Sequence, residues 1–316
     1  MKKIFFLVSC LLGIGAAFGQ SNKVVTAFNL MKPEYNELDK AKQAIDDASV
    51  HPKTSMEAKT WFYRGQVYYK ISQSREEKFT NLDPDPLKQA YLSFVKASEL
   101  DTKGRYTDDL VFNLTRASAD FFNRGSTEYA EKKFKESIES YESSMTIDEL
   151  PFIHQLDTVL FYNAALAAEG AGMKDKAIDY YKKAIALNYG GADLYHYLAE
   201  VYLKNGDTTN ALKTYDEGIK IYPNVSALYI AMVNYFLGKK DLPSAFGFVE
   251  KAIEKDPTNA SLWQFYGRAM EDKDKEKAIE AYKKMIDLEP NNFTGYYNVG
   301  TVYFNEGYEA NIKAQA

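Results

Sequence analysis

The fold is decided by residues 191–223, which read GADLYHYLAEVYLKNGDTTNALKTYDEGIKIYP. Large apolar residues recur there at helical spacing, namely at Tyr195, Leu198 and Tyr202. Residues three, four and seven positions apart share one face of a helix, so this spacing predicts an apolar stripe. Asn205-Gly206-Asp207 is typical of a tight turn. Ala211 then opens a second apolar helix, which Pro223 ends. The stretch therefore predicts a hairpin of two helices.

The same features recur along the chain with one period. The small residue of the second helix recurs at spacings of 34, 34 and 33 residues, at Ala177, Ala211, Ala245 and Ala278. First-helix aromatics step by 34, 34, 34 and 33 residues, at Phe161, Tyr195, Tyr229, Trp263 and Tyr296. Prolines step by 34 and 33 residues, at Pro223, Pro257 and Pro290. Because three residue classes share one period, the sequence predicts a tandem array of repeats.

The content of the period resembles the tetratricopeptide repeat, in which an aromatic, Leu-Gly and Tyr are followed by Ala, Phe and Pro. Residues 191–223 and 259–290 match this order, and Trp61, Gly65 and Tyr68 begin an earlier unit. The resemblance implies an all-α fold, a right-handed superhelical solenoid of antiparallel helix pairs with about six repeats and a partial seventh. The signal segment and repeat spacing also resemble those of exported tetratricopeptide proteins of Gram-negative bacteria.

We divide the array into irregular repeats over residues 22–156, regular repeats over residues 157–290 and a partial repeat over residues 291–316. In the irregular part, more residues lie between Tyr68 and Ala90 than the repeat pattern needs. They predict an extended first helix and a longer turn. Residues 107–130 are interpreted as one long helix. Such insertions are either loops that the array tolerates or additions that shape a groove. Since arrays normally end in a polar capping helix, we expect the natural array to continue beyond its partial repeat.

Residues 1–19 are predicted to be a signal peptide. Two lysines precede an apolar run from Ile4 to about Ile14, and Ala17-Phe18-Gly19 supplies small residues for cleavage before Gln20. The run is shorter than the roughly 20 apolar residues of a membrane span, and no later segment is longer. The alternative is a lipoprotein site, since Leu7-Val8-Ser9 precedes the one cysteine, Cys10. We expect export to the periplasm or cell surface of a Gram-negative bacterium, without a transmembrane segment and with at most peripheral association with the outer membrane.

Charge and motifs exclude several classes of function. The net charge is −5, and removal of residues 1–19 takes away two lysines and no acid. Nucleic-acid binding calls for a basic stripe, so no nucleic-acid partner is expected. The histidines, at His51, His154 and His196, lack a metal-ligand spacing. No nucleophile elbow, Walker loop or dinucleotide fingerprint occurs after residue 19. We therefore predict no catalytic residues, no metal site and no cofactor.

The resemblance further implies a concave groove lined by first-helix residues just off the packing stripe. Mapped onto this sequence, the earlier units contribute Phe62, Gln66, Phe122 and Asn123. The predicted ligand-binding residues lie in the later units and are Tyr162, Asn163, His196, Glu200, Asn234, Gln264, Arg268 and Tyr297. The lysine–asparagine clamp that some members use for a peptide's terminal carboxylate is absent, because His196/Glu200 and Gln264/Arg268 stand at those positions.

These features predict a non-enzymatic scaffold that binds a protein or peptide outside the cytoplasm through the groove of a tetratricopeptide array. Two alternatives remain open. A glycan-binding module would need aromatic side chains clustered in the open groove. An outer-membrane assembly factor would more naturally be lipid-anchored through Cys10.

Overall fold

The computed structural model describes residues 22–153 and 157–315, and each regular element in those ranges is a helix. The predicted all-α fold is confirmed. The predicted signal peptide, Cys10 and His154 lie outside the described residues. Contacts between Cα atoms divide the chain into an N-terminal unit up to Ala171 and a C-terminal unit from Gly172.

The N-terminal unit contains eight α-helices within its described residues. They are α1 (22–30), α2 (Leu38–Val50), α3 (Ala58–Gln73), α4 (Glu77–Thr80), α5 (Pro86–Leu100), α6 (Thr107–Ala130), α7 (Phe134–Asp148) and α8 (Thr158–Gly170). Helix α3 packs against α5, and α6 packs against α7. The short connection between α6 and α7, residues 131–133, makes that pair antiparallel.

The C-terminal unit is built in the same way from more regular elements. They are α9 (Lys174–Ala186), α10 (Gly191–Lys204), α11 (Thr208–Ile221), α12 (Ser226–Gly238), α13 (Leu242–Lys255), α14 (Ala260–Met270), α15 (Lys275–Leu288) and α16 (Phe293–Gln315). Within this unit α10/α11, α12/α13 and α14/α15 form the tight pairs, and each pair also contacts the next.

The turn between α10 and α11 shows how the sequence ends one helix and starts the next. Gly206 has φ +79°, a left-handed conformation that glycine adopts without strain. The Asp207 carboxylate then accepts a hydrogen bond from the Asn210 backbone N–H, which caps α11. The tight turn predicted at Asn205-Gly206-Asp207 is therefore confirmed.

Close packing within the pairs relies on a small residue facing a large ring. A Cβ added at Gly65 would lie 2.4 Å from the Phe94 ring. A Cβ added at Gly125 would lie 2.8 Å from the Tyr141 ring, and one added at Gly267 would lie 2.6 Å from the Tyr282 ring. We call each of these glycines, with the ring that covers it, a glycine notch. In a glycine notch the backbone of the first helix touches the aromatic side chain of the second.

Ala199 occupies the corresponding position in α10, and both Ala199 and Ala211 are fully buried. Ala199→Leu is therefore expected to overpack the α10/α11 pair and lower the free energy of unfolding by about 1–3 kcal/mol. Chemical denaturation followed by circular dichroism measures this loss. Ala227→Leu, at an exposed position of α12, is the matched control and should change stability little. Equal stability of the two variants would show that Ala199 is not at a helix contact.

The many tyrosines are mainly packing residues. Tyr202 and Tyr282 are 6% and 0% exposed, so both rings lie in the core. Several tyrosines also donate a hydrogen bond from the hydroxyl to a carboxylate. The Tyr68 hydroxyl, for example, donates to Asp46 Oδ2 at 2.8 Å. Burial then raises the pKa of Tyr68 and keeps its hydroxyl a donor.

The insertion between Tyr68 and Ala90 lies mainly in the connection from α3 to α5. Helix α3 has 16 residues, against 11 to 14 in the first helices α8, α10, α12 and α14, and it ends at Gln73, where Ser74 is in an extended conformation. The chain then forms the one-turn helix α4, which buries Phe79 against Val24 and Ile71. Burial of that ring explains why the chain turns back. The single long helix predicted at residues 107–130 is confirmed by α6.

A buried polar cluster joins α6 to α7. The Ser118 hydroxyl donates to Asp148 Oδ1 at 2.6 Å, and Ser118 Oγ lies 2.8 Å from Ser144 Oγ. Desolvation raises the pKa of Asp148, against the opposing hydrogen bond from Ser118, and the nearby charge of Asp157 adds to the rise.

A raised carboxyl pKa makes stability depend on pH. The folded state binds the Asp148 proton more tightly than the unfolded state, so the free energy of unfolding falls as pH rises above the ordinary aspartate pKa of about 3.9. Asp148→Asn is expected to remove the part of this fall in the free energy of unfolding that Asp148 causes, while keeping a hydrogen-bond acceptor for Ser118. Glu139→Gln, an exposed change on the same helix, is the control. If both variants show the wild-type stability profile between about pH 3 and 7, Asp148 does not carry this dependence.

Candidate functional site

The eight predicted ligand-binding residues all lie on first helices but are divided between the two units. Tyr162 and Asn163 are on α8 of the N-terminal unit. The others are on helices of the C-terminal unit, namely His196 and Glu200 on α10, Asn234 on α12, Gln264 and Arg268 on α14 and Tyr297 on α16. Asn234, Arg268 and Tyr297 are exposed, and the remaining five are half-buried.

His196 and Glu200 are brought together by a buried tyrosine. The Tyr215 hydroxyl donates to Glu200 Oε1 at 3.0 Å and lies 3.2 Å from His196 Nδ1. Burial, followed by the negative charge of Glu200, raises the pKa of Tyr215, so the hydroxyl remains protonated. These contacts hold both side chains in place on the surface of α10.

Arg268 borders a cleft of about 450 Å³ between α12, α13 and α14. Leu242 and Phe265 line the same cleft and are 65% and 38% exposed. Asn163 instead lines a smaller cavity of about 170 Å³ in the N-terminal unit, with Tyr129 and Leu166. Arg268 and Asn163 therefore line different cavities.

A larger cleft lies in the N-terminal unit, where α1, α3 and α6 face one another. Its volume is about 840 Å³. We call it the N-terminal cleft. Its apolar side chains include Phe28, Met31 and Phe112, and its amides include Gln66 and Gln73. Phe112 is 60% exposed, so an apolar ring is presented to solvent at the opening of the cleft.

Three cationic side chains line the N-terminal cleft, namely those of Lys32, Lys70 and Arg116. The Lys32 Nζ atom lies 4.6 Å from the centre of the Phe28 ring. The Arg116 guanidinium carbon is 4.9 Å from the Tyr69 ring centre and 5.4 Å from that of Phe112. Cation–π contacts of this kind hold a charge over an aromatic face without neutralising it.

The remaining polar groups leave the N-terminal cleft positively charged. Lys70 Nζ donates to the Met31 carbonyl oxygen at 2.9 Å, so it is positioned without a carboxylate. Asp109 is the one acid among the residues that line this cleft, against three cations. The cleft therefore presents an excess of positive charge beside apolar rings.

Asp120 does not line the cleft, but it positions two side chains that do. Its Oδ2 atom accepts bonds from the Tyr69 hydroxyl at 2.6 Å and from Gln73 Nε2 at 3.0 Å. Burial, reinforced by the Asp120 contact, raises the pKa of Tyr69 to about 12. Tyr69 is therefore a neutral, fixed support for Arg116.

Only part of this surface follows from the repeat positions in the sequence. Gln66 was placed in the groove and does line the N-terminal cleft. Phe62 was placed there too, which is wrong, because it is 4% exposed and stacks on Tyr106 in the core. Lys70 and Arg116 were missed, since a charged residue on a helix is ordinarily a solvated one. Arg116 follows Phe112 by four residues, and this spacing is the one signal in the sequence that could have indicated it.

Chemical sites of other kinds are not found among the described residues. Within residues 22–153 and 157–315, no group of three or more His, Cys, Asp or Glu side chains is arranged to hold a metal ion. Over the same part of the chain, no helix combines the length and apolar character needed to cross a membrane.

The helix pairs and their packing define the class of fold, an all-α array of tetratricopeptide-type hairpins. Comparison with protein families agrees with this class. Residues 162–226 match the family model described as tetratricopeptide repeat, and residues 270–307 match a model described as TPR repeat. The first range lies within the regular repeats, and the second extends from them into the partial repeat.

Curated relatives resemble short parts of the chain. The PEX5-related protein of Homo sapiens is 35% identical over 74 residues, which cover 23% of this chain and 12% of that protein. The mitochondrial import receptor subunit TOM70 of Homo sapiens is 31% identical over 118 residues, covering 34% of this chain and 19% of that protein. The chain thus spans less than a fifth of either relative.

Among solved structures, the C-terminal part of a TPR repeat-containing protein from Cytophaga hutchinsonii has a TM-score of 0.45 at 17% identity. The alignment covers 87% of this chain and 99% of the other.

Proposed function

We propose that this chain is a non-enzymatic scaffold that binds a protein or peptide, and that the N-terminal cleft is its principal binding site. The observation that carries the proposal is the cleft itself, about 840 Å³ in volume, lined by apolar rings and three cations against one acid. This volume is within the range of ligand pockets, roughly 300–1,000 Å³. The chain is also similar in part to a protein named as a mitochondrial import receptor subunit, and this similarity supports a binding role.

The chemistry of the cleft favours a segment that combines acidic and apolar side chains. An acidic side chain placed near Lys70 and Arg116 would form charge-assisted hydrogen bonds. An apolar side chain would pack on the exposed ring of Phe112. The amides of Gln66 and Gln73 are suited to an extended backbone, since each carries both donors and an acceptor.

We also propose that the chain is exported to the periplasm or cell surface of a Gram-negative bacterium. The support is the sequence of residues 1–19, with its lysines, apolar run and small residues before Gln20. Mass spectrometry of the mature N-terminus tests this proposal. A chain beginning at Gln20 agrees with a soluble exported protein. Acylated Cys10 would instead establish a lipid anchor, and an uncleaved chain would contradict export.

Binding to the N-terminal cleft is tested with a random peptide library selected on the immobilised chain. We expect recovered peptides to be rich in Asp and Glu beside apolar residues, and Arg116→Ala to weaken them about tenfold or more, since Arg is a frequent anchor. Arg75→Ala is the matched control, because Arg75 is exposed in the same unit and does not line the cleft.

The same peptides distinguish the two candidate surfaces. If Tyr162→Ala or Arg268→Ala abolishes binding while Arg116→Ala does not, the ligand occupies the groove predicted from the repeat positions. If all three variants bind like the wild type, neither surface is the binding site.

A further inference from the structure

The C-terminal unit departs from its own repeat pattern in α13. In the other regular repeats, the residue four positions after the small residue of the second helix is Tyr181, Tyr215 or Tyr282, and each of these rings is fully buried. In α13 the small residue is Ala245, and the fourth residue after it is Val249. One ring of the regular series is therefore missing.

The place of the missing ring borders the cleft of about 450 Å³ between α12, α13 and α14, which we call the C-terminal cleft. In the glycine notch of α14 and α15, the Tyr282 hydroxyl donates to Glu271. Val249 takes the place of Tyr282 in α13. Leu237 takes the place of Glu271, because each is the eighth residue after the repeat aromatic of its unit. Val249 and Leu237 both line the C-terminal cleft, so an apolar opening replaces a ring and its hydrogen bond.

The C-terminal cleft lies inside the array of helices. Helix α11 packs on α12, and α15 packs on α14, so helices are present on both sides of the cleft. Among the described residues, no side chain of α11 or α15 lines it. The opening is therefore a consequence of the side chains of α12, α13 and α14 and not of a missing neighbour.

The walls of the C-terminal cleft are largely apolar, and its charged residues are mainly cations. Phe246 and the partly exposed ring of Phe265 are among the apolar side chains that line it. Arg268 and Lys273 line it too, against one acid, Asp272. The Lys273 Nζ atom lies 5.2 Å from the centre of the Phe246 ring, a cation–π distance. Arg268 forms no ion pair with any residue that the structure describes, so its guanidinium is available to a carboxylate.

We propose that the C-terminal cleft binds an aromatic side chain of a partner protein, while an acidic side chain next to that ring pairs with Arg268. This inference rests on the proposed function, because it takes the ligand to be a protein or peptide, and it adds a second site to the N-terminal cleft. An aromatic ring fits, since the other regular repeats hold one at the position of Val249. Aromatic side chains bury about 150–250 Å² each and are frequent anchors of interfaces. Charge complementarity selects the neighbouring acid, because an arginine can donate two parallel hydrogen bonds to a carboxylate.

The first experiment selects peptides from a random library on the immobilised whole chain carrying Arg116→Ala, in which the N-terminal cleft is weakened. We expect the recovered peptides to carry Phe, Tyr or Trp next to Asp or Glu. Recovery of peptides only when Arg116 is intact would overturn this inference and leave the proposed function standing. Loss of all peptide binding, with and without Arg116, would contradict both.

Ala269→Phe is designed to block the C-terminal cleft. Ala269 lines the cleft and is half-buried, and Tyr235 stands at the corresponding position of α12, so a ring is compatible with the helix there. We expect this variant to raise the dissociation constant of a selected peptide about tenfold or more, measured by calorimetric titration. Ala227→Phe, an exposed change on α12, is the matched control and should leave the dissociation constant unchanged. Circular dichroism checks that both variants keep their helices.

The contribution of Arg268 is measured with the same peptides. Arg268→Gln should weaken the acidic peptide about tenfold, and it should hardly affect a peptide with alanine at the acidic position. Equal binding by Ala269→Phe and Ala227→Phe would overturn the proposal, as would selected peptides that lack aromatic residues. If free 3-phenylpropionate binds as tightly as the peptides do, the cleft takes a small aromatic acid and not a partner protein, which also overturns it.

Discussion

Tyr282→Ala is expected to lower the free energy of unfolding of the C-terminal unit by about 3–5 kcal/mol. The Tyr282 ring is fully buried, covers Gly267 and packs with Met270 and Val302. Its hydroxyl donates to Glu271. Truncation therefore removes apolar burial and leaves a cavity between α14, α15 and α16. Denaturant unfolding monitored by circular dichroism measures the loss.

Tyr282→Phe is the matched control for this prediction. It keeps the ring and removes only the hydroxyl, so it should lower the free energy of unfolding by about 1 kcal/mol. Glu271 is half-buried and regains water as a partner. If the alanine and phenylalanine variants are equally stable, the ring does not hold these helices together.

Phe94→Ala is expected to have an effect of similar size, about 3–5 kcal/mol, on the N-terminal unit. Phe94 is fully buried and covers Gly65 in the tight pair formed by α3 and α5. Its removal opens a cavity beside Phe62, whose ring centre lies 6.4 Å away. Because α3 also contributes to the N-terminal cleft, part of the loss should extend to peptide binding.

Leu92→Ala, on the same helix, is the control for Phe94→Ala. Leu92 is 47% exposed, so its truncation should change the free energy of unfolding by less than about 1 kcal/mol. Thermal or denaturant unfolding of both variants gives the comparison. Similar losses for the two would mean that burial does not determine the stability of α5.

The repeated part of the fold was predictable because each of its features is local and occurs several times. The turn at Gly206, the buried Ala199 and Ala211 and the core position of Tyr282 follow from residue size and spacing within one period. With a single hairpin, the assignment of residues to positions of the repeat would have been ambiguous. Several hairpins at the same spacing fix it, because any shift would misplace small residues and rings in every unit.

The irregular part could be predicted only in outline. Polar and proline residues after Tyr68 indicated an insertion but not the break at Ser74, which follows from burial of Phe79 against distant Val24. Phe62 was mistaken for a groove residue because its position was inferred from a repeat that is not regular there. Its contact with Tyr106 depends on a connection that the period does not describe.

The candidate site depended even more on distant parts of the chain. The N-terminal cleft is assembled from α1, α3 and α6, so Lys32, Lys70 and Arg116 meet only after folding. In the sequence each is an ordinary charged surface residue. The eight residues predicted for the groove remain a prediction, and of these the structure links His196 with Glu200 through Tyr215.

The N-terminal cleft is proposed to bind an acidic segment through Arg116. The most direct test is a double-mutant cycle by calorimetric titration. It combines the wild type and Arg116→Ala with a selected acidic peptide and the same peptide carrying alanine at its acidic position. We predict a coupling free energy of at least about 1.5 kcal/mol, as for close charge pairs at interfaces. A coupling near zero, with both peptides bound equally by both proteins, would show that Arg116 does not contact the acidic side chain.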